Sequence, residues 1–192
     1  MGPQKQGLMG ILTSSYFKWG MVAFGALILI AIIGSMMGGG ETLEDKCIDL
    51  LLRLDNTNEL VIDEYQPYVK SSKLRSLSAS LKGVYSSTSY ELGTFLAQAF
   101  EFDKNKLEEK RKEAALLEPE ALADELFKAK INGLLDRTYA HKMALEIYSV
   151  MSDEMSIYNS TDGVSLRELL ESSYNSLNNL YTQFNDFSET SK

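Results

Sequence analysis

One cysteine, Cys47, and one histidine, His141, occur in the 192 residues. A lone cysteine excludes an intramolecular disulfide and any cysteine-built zinc site. A lone histidine excludes the two Glu-x-x-His pairs of a ferritin-like di-metal centre. Thr138 also stands where the glutamate before His141 would have to be. A ferritin-like metal or cofactor protein is therefore the reading the sequence favours least. A haem would need His141 or a methionine as axial ligand, and single residues of these types on a helical stripe are usually core. No Gly-x-Ser-x-Gly, phosphate-binding glycine loop or dinucleotide fingerprint is present. The expectation is no enzyme, no cofactor and no catalytic residue.

Basic charge is also scarce. The net charge is −8, and Lys5 and Lys18 are the only charged side chains before residue 41, so residues 41–192 carry −10. That excludes the basic footprint a nucleic-acid partner requires. It also argues against the acidic part lying flat on an anionic membrane surface.

What the chain does have is one long apolar run, residues 19–37, bounded by Trp19 and Met37 and free of charge. At about 1.5 Å per residue it reaches roughly 28 Å as a helix, close to the roughly 30 Å hydrocarbon core of a bilayer. Tyr16, Phe17 and Trp19 cluster at its leading edge, where amphipathic rings prefer the headgroup level. Lys18 can lift its ammonium to the same interface. The prediction is a transmembrane helix over 16–37 acting as a signal anchor, with Trp19 and Met37 as its anchor residues. A disordered segment, 1–15, precedes it and a glycine linker, 38–41, follows. No Ala-x-Ala cleavage site, myristoylation signal or pilin-type acid accompanies the run. The Lys/Arg balance across it is nearly even. The short basic N-terminus sets the expected orientation, N-terminus cytoplasmic and C-terminal domain extracytoplasmic.

Residues 42–188 read as four amphipathic helices and 189–192 as a frayed tail. The first helix is expected over 43–69, capped by Thr42 and Asp45, with Cys47, Leu54, Val61 and Tyr68 at seven-residue spacing and a kink near Pro67. The second, 74–100, carries Leu74, Leu77, Leu81, Val84, Thr88, Leu92, Phe95 and Ala99, with Ser78, Ser86, Ser87 and Ser89 opposite. A charged helical crossover, 101–118, alternates Lys and Glu. The third helix starts at Pro119 and runs to 158 with a bend near Gly133. The fourth opens on a Ser165/Glu168 capping box. The fold class is all-α: an N-terminal transmembrane helix, then an antiparallel, coiled-coil-like four-helix bundle made of two hairpins.

A polar residue interrupts each apolar stripe: Asn58, Thr88, Asp136 and Ser173. Such residues usually fix register and satisfy one another. At equal depth they could instead line a small polar cavity. The predicted function is a single-pass membrane-anchored helical bundle serving as a non-enzymatic interaction or scaffold module, integral to the membrane. Its partner is a protein or a second copy, and no nucleic acid is involved. The alternative is a small-ligand sensor using that mid-bundle cavity.

Overall fold

The computed structural model describes residues 41–100 and 119–190. The chain divides into two compact units, Met1–Glu41 and Thr42–Lys192, and the second carries all the described helices. The expected membrane helix with Trp19 and Met37, the segment 1–15, the glycines of the linker and the crossover 101–118 lie outside the described residues. Among the described residues there is no strand, and no helix is long and apolar enough to cross a membrane. The fold is all-helical and bundle-like.

Helix α1, Leu43–Asn56, begins at the expected capping box. The Thr42 hydroxyl accepts the Asp45 N–H at 3.1 Å and the Asp45 carboxylate accepts the Thr42 N–H at 3.4 Å. Cys47, Ile48, Leu50, Leu51, Leu52 and Leu54 are all buried, so α1 is covered on most of its circumference. Burial also pushes the Cys47 thiol up to about 11, which leaves it a small hydrophobe rather than a reactive group.

The sequence predicts one unbroken helix to residue 69, and the structure differs. Thr57–Ile62 is a π-helical turn, followed by a short α turn, Asp63–Tyr65, and a 3₁₀ turn, Gln66–Tyr68. A seven-residue apolar repeat drifts by about 20° per heptad on a straight helix. The wider π turn changes the rotation per residue and brings Val61 and Ile62 together into the core. Pro67 has no N–H to continue the α ladder. Tyr68, expected on the buried stripe, is consequently 49% exposed, and Val69 takes the core position. The Lys130 ammonium lies 3.0 Å from the Tyr68 ring centroid.

Helix α2, Ser72–Ala99, is capped by Ser71, whose hydroxyl accepts the Leu74 N–H at 3.3 Å. Its buried stripe is Leu74, Leu77, Leu81, Tyr85, Thr88, Leu92 and Leu96. The expected Val84 and Phe95 are half-buried and Ala99 is exposed. Two successive steps of four give the stripe a pitch nearer eleven residues in three turns than seven in two. Ser78 and Ser89, expected on the outer face, are inside. Ser78 donates to the Tyr139 hydroxyl at 3.0 Å and Ser89 to Asp55 at 2.6 Å.

The expected bend in the third helix is a complete break between α3, Pro119–Ile131, and α4, Leu135–Ser160. Gly133 sits at φ 73°. Its N–H bonds to the Lys130 carbonyl at 3.2 Å, and the Leu134 N–H bonds to the Ala129 carbonyl at 2.9 Å. These two bonds form a Schellman stop, which requires a left-handed residue. No atom lies within 4 Å of where a Gly133 Cβ would stand, so a side chain there meets only backbone strain. Gly133→Ala should cost about 1 kcal/mol and lower Tm by about 2–4 °C, measured by thermal circular dichroism.

Helix α5, Val164–Thr190, starts before the predicted cap. The Arg167 N–H bonds to the Gly163 carbonyl at 3.0 Å, which places Ser165 within the first turn. The preceding turn is shaped by Thr161, whose hydroxyl accepts the Gly163 N–H at 3.1 Å and whose carbonyl accepts Arg167 Nε at 2.7 Å. The helix also runs on past Ser188, where fraying is expected. Phe184 is fully buried and the Ser188 hydroxyl bonds back to the Asn185 carbonyl at 2.8 Å.

α1 packs against α2 and α4, and α5 packs against the same two helices, while α3 lies on the π turn and α4. Along the α1–α4 contact Lys46 bonds Ser160 at 3.0 Å, and Arg53 bonds Asp153 at 2.8 Å and Glu146 at 2.8 Å. Rising numbers on one helix meet falling numbers on the other, so α1 and α4 are antiparallel.

Candidate binding site

The four polar residues expected at one depth lie in three places. Thr88 of α2 donates its hydroxyl to Ser173 of α5 at 2.9 Å, and both are buried. Asn58, in the π turn, donates to Ser86 at 3.2 Å, while its Oδ1 is buried with no partner among the described residues. Asp136 sits in the first turn of α4. Its two oxygens accept the N–H groups of Lys70 and Ser71 at 2.9 and 2.8 Å, fastening the link between the π segment and α2. His141 is exposed, and no cluster of three potential metal ligands occurs among the described residues.

The polar group that reaches the core of α4 is Glu154. It lies four residues after Val150 and three before Ile157, on the buried stripe that also holds Ile147. It is 1% exposed, and neither carboxylate oxygen has a normal hydrogen bond among the described residues. Burial pushes it up to about 7. The Ser173 hydroxyl pulls it back down from a position short of a normal hydrogen bond, and the neighbouring Asp153 charge pushes it up further. Because Ser173 already accepts the Thr88 proton, its own proton is free to point at Glu154. A buried polar thread thus runs from α2 through α5 to α4.

Each end of this thread meets a cavity. Between α2 and α5, a hollow of about 330 Å³ is lined by Ser80, Ser87, Ser172 and Ser176, with Thr88 and Ser173 among its walls. Between α4 and α5, a groove of about 300 Å³ is lined by Glu154, Met155, Tyr158, Leu170, Glu171 and Tyr174. Volumes of this order are at the lower end of small-ligand sites. The α4–α5 groove has the composition such sites favour, apolar and aromatic walls with few polar groups. Nearer the start of α4, Leu145 and Tyr148 are exposed, and the Tyr148 ring packs on that of Tyr181 at 6.0 Å.

Tyr85 stands across the core from α4. It is fully buried, its hydroxyl has no partner among the described residues, and burial raises it well above the ordinary tyrosine value. Glu146 and Glu154 add to that rise while Arg53 opposes it. An unpaired buried hydroxyl is a cost, so Tyr85→Phe should leave stability unchanged or raise it by about 1 kcal/mol in urea unfolding. Tyr139→Phe, by contrast, breaks the bond to Ser78 and serves as the destabilised control.

The polar interruption expected in the third helix is Asp136, on a stripe that includes Ile147 and Val150. Continuing by four residues finds a carboxylate, Glu154, at a core position. No protein-family model, curated protein or solved structure matches the chain.

Proposed function

We propose that the chain is a single-pass membrane-anchored helical module that works by binding rather than by catalysis, and that the α4–α5 groove is its binding face. In this reading residues 16–37 are the anchor, with the N-terminus cytoplasmic and the helical unit extracytoplasmic. α1, α2, α4 and α5 make a four-helix bundle with antiparallel neighbours, and residues 101–118 are its helical crossover. The charge-free run 19–37 supports the anchor. The observation that carries the binding role is the groove itself, about 300 Å³ between α4 and α5, walled by Met155, Tyr158, Leu170 and Tyr174. Apolar and aromatic walls with few polar groups are the composition small-ligand sites favour. This favours the ligand-binding form of the role over a pure scaffold.

A scaffold docking a protein partner is the second reading. Leu145 and Tyr148, 50% and 61% exposed on α4, favour it.

The test uses the full chain in membranes. It should stay in the pellet after alkaline carbonate extraction. A benzophenone amino acid at position 155 should give an adduct of discrete mass, and the same probe at exposed position 59 should not. Release from the pellet would remove the anchor. Equal labelling at both positions, or none at 155, would remove the binding face.

A further inference from the structure

The end of the helical unit farthest from Thr42 differs in composition from the rest. Two links meet there, the one that leads into α2 and the one between α3 and α4. Asp136 accepts the Lys70 and Ser71 N–H groups, and the Lys130 ammonium lies over the Tyr68 ring. Residues 43–65, helical throughout, set this end roughly 35 Å from the start of α1.

The two links are basic in an acidic chain. Residues 66–75 and 126–137 together carry +5, against a net −8 for the whole sequence. Lys70, Lys73, Arg75, Lys128 and Arg137 are exposed and Lys130 is half-buried. None of these six forms an ion pair among the described residues, whereas Arg53, Lys82, Lys142 and Arg167 each do. The nearby acids do not cancel them. Asp136 has both oxygens on backbone N–H groups, Asp63 is paired with Lys82, and Glu125 is paired with Lys142. Glu64 and Asp124 lie near Tyr65 instead.

Large apolar side chains stand among these cations. Phe127, Ile131 and Leu134 are 53%, 67% and 60% exposed. Phe127 and Ile131 share one face of α3 at four-residue spacing, and Leu134 follows the Gly133 stop. With more than half of each side chain open, they protrude rather than line a cleft. A protein partner would need a hollow shaped to each of them. A bilayer interface takes protruding apolar groups without one, and cations beside them reach the lipid phosphates.

We propose that this tip docks end-on to an anionic lipid surface, with Phe127, Ile131 and Leu134 entering the boundary between headgroups and acyl chains and Lys70, Lys73, Lys128 and Arg137 holding lipid phosphates. The Tyr68 ring takes the headgroup level that amphipathic rings prefer. End-on contact holds the acidic flanks away from the surface, which reconciles it with the −10 of residues 41–192. The contact is independent of the α4–α5 groove, and it leaves Thr42, at the opposite end, uncovered.

The experiment is vesicle flotation of the full chain, carried in phosphatidylcholine nanodiscs that cover its apolar run. The target vesicles are phosphatidylcholine alone or phosphatidylcholine with one-third phosphatidylglycerol. The chain should float with the anionic vesicles and not with the neutral ones, and roughly 0.5 M KCl should release most of it. Each cation near such a surface strengthens binding about fivefold, so Lys70→Ala, Lys73→Ala and Lys128→Ala together should weaken it about 100-fold. Arginine at the same three positions should retain it. Ile131→Ser with Leu134→Ser should weaken it by roughly tenfold, with circular dichroism unchanged because both side chains are exposed. Equal flotation with neutral vesicles, no flotation with either, or anionic flotation that the triple alanine variant retains would overturn the proposal. So would indifference to the serine pair. Capture by soluble polyglutamate without flotation would assign the tip to an acidic protein and overturn the lipid surface.

Discussion

Glu154→Gln is expected to abolish a pH dependence of stability that the native chain shows between about pH 5 and pH 8. In the unfolded chain this carboxyl titrates near its ordinary value of 4.5, and in the folded chain burial moves it to about 7. Over that interval the folded state holds a proton that the unfolded state has released. The stabilising contribution is therefore complete below the unfolded value and is lost as pH rises through the folded one. A difference of this size corresponds to roughly 3 kcal/mol in full, of which about 2–3 kcal/mol falls between pH 5 and pH 8. Glutamine keeps the shape and removes the charge, so its profile should be flat and the variant should be more stable than the native chain by about 2 kcal/mol at pH 8. Urea unfolding at the two pH values reads both. Parallel profiles for the native chain and the Glu154→Gln variant would mean that the carboxylate reaches solvent or a counter-charge and is not buried alone.

The second large effect is expected at Arg53. Its guanidinium grips both oxygens of Glu146, at 2.8 and 2.9 Å, and reaches Asp153 at 2.8 Å. Thr57 adds a bond to the same Glu146 side chain at 3.3 Å. The Arg53 and Glu146 side chains are only 21% and 15% exposed, whereas Asp153 is 45% exposed. The Asp153 arm is a solvated ion pair and contributes little. Arg53→Met keeps most of the stem's packing but strands the largely buried Glu146, and should destabilise by about 2–3 kcal/mol. Replacing both ends, Arg53→Met with Glu146→Leu, should recover most of that loss, because a buried ion pair and a well-packed apolar pair are often close in energy. Urea unfolding of the two single variants and the double variant closes the cycle. Additive losses would show that the two residues do not act as a pair.

The helices were legible because amphipathic spacing and capping are local properties. Thr42 with Asp45 marked the start of α1, and Gly133 marked a bend at the point where the structure separates α3 from α4. What periodicity could not supply was the drift of a stripe over several turns. Val84 and Tyr85 are neighbours, and only the angle at which α2 meets α1 and α5 decides which one is buried. The π turn after Asn56 arises for a similar reason, as a response to tertiary packing that no local propensity announces. The candidate site shows the same division. Thr88 and Ser173 meet because each interrupts an apolar stripe, a pattern visible in the chain. Asp136 interrupts its stripe too, yet it lies eighteen residues from Glu154, about 27 Å along α4, and serves the link between helices instead. A carboxylate on an apolar stripe reads the same at a helix end as at its middle until the length of the helix is known.

The covering of α1 has a mechanical side. Thr42 caps α1, and Cys47, Leu50, Leu51 and Leu54 hold that helix from within. Tension arriving through the chain at Thr42 therefore falls first on the most enclosed helix, not on a peripheral strand of chain that could peel away. Lys46 at Ser160 meets that load first, and the Arg53 fork on Glu146 meets it two turns later. Slippage of α1 would have to break these polar grips and drag several buried leucines past α2 and α4 together. Drawing α1 out by its N-terminus would thus shear packed helices past one another rather than peel one away.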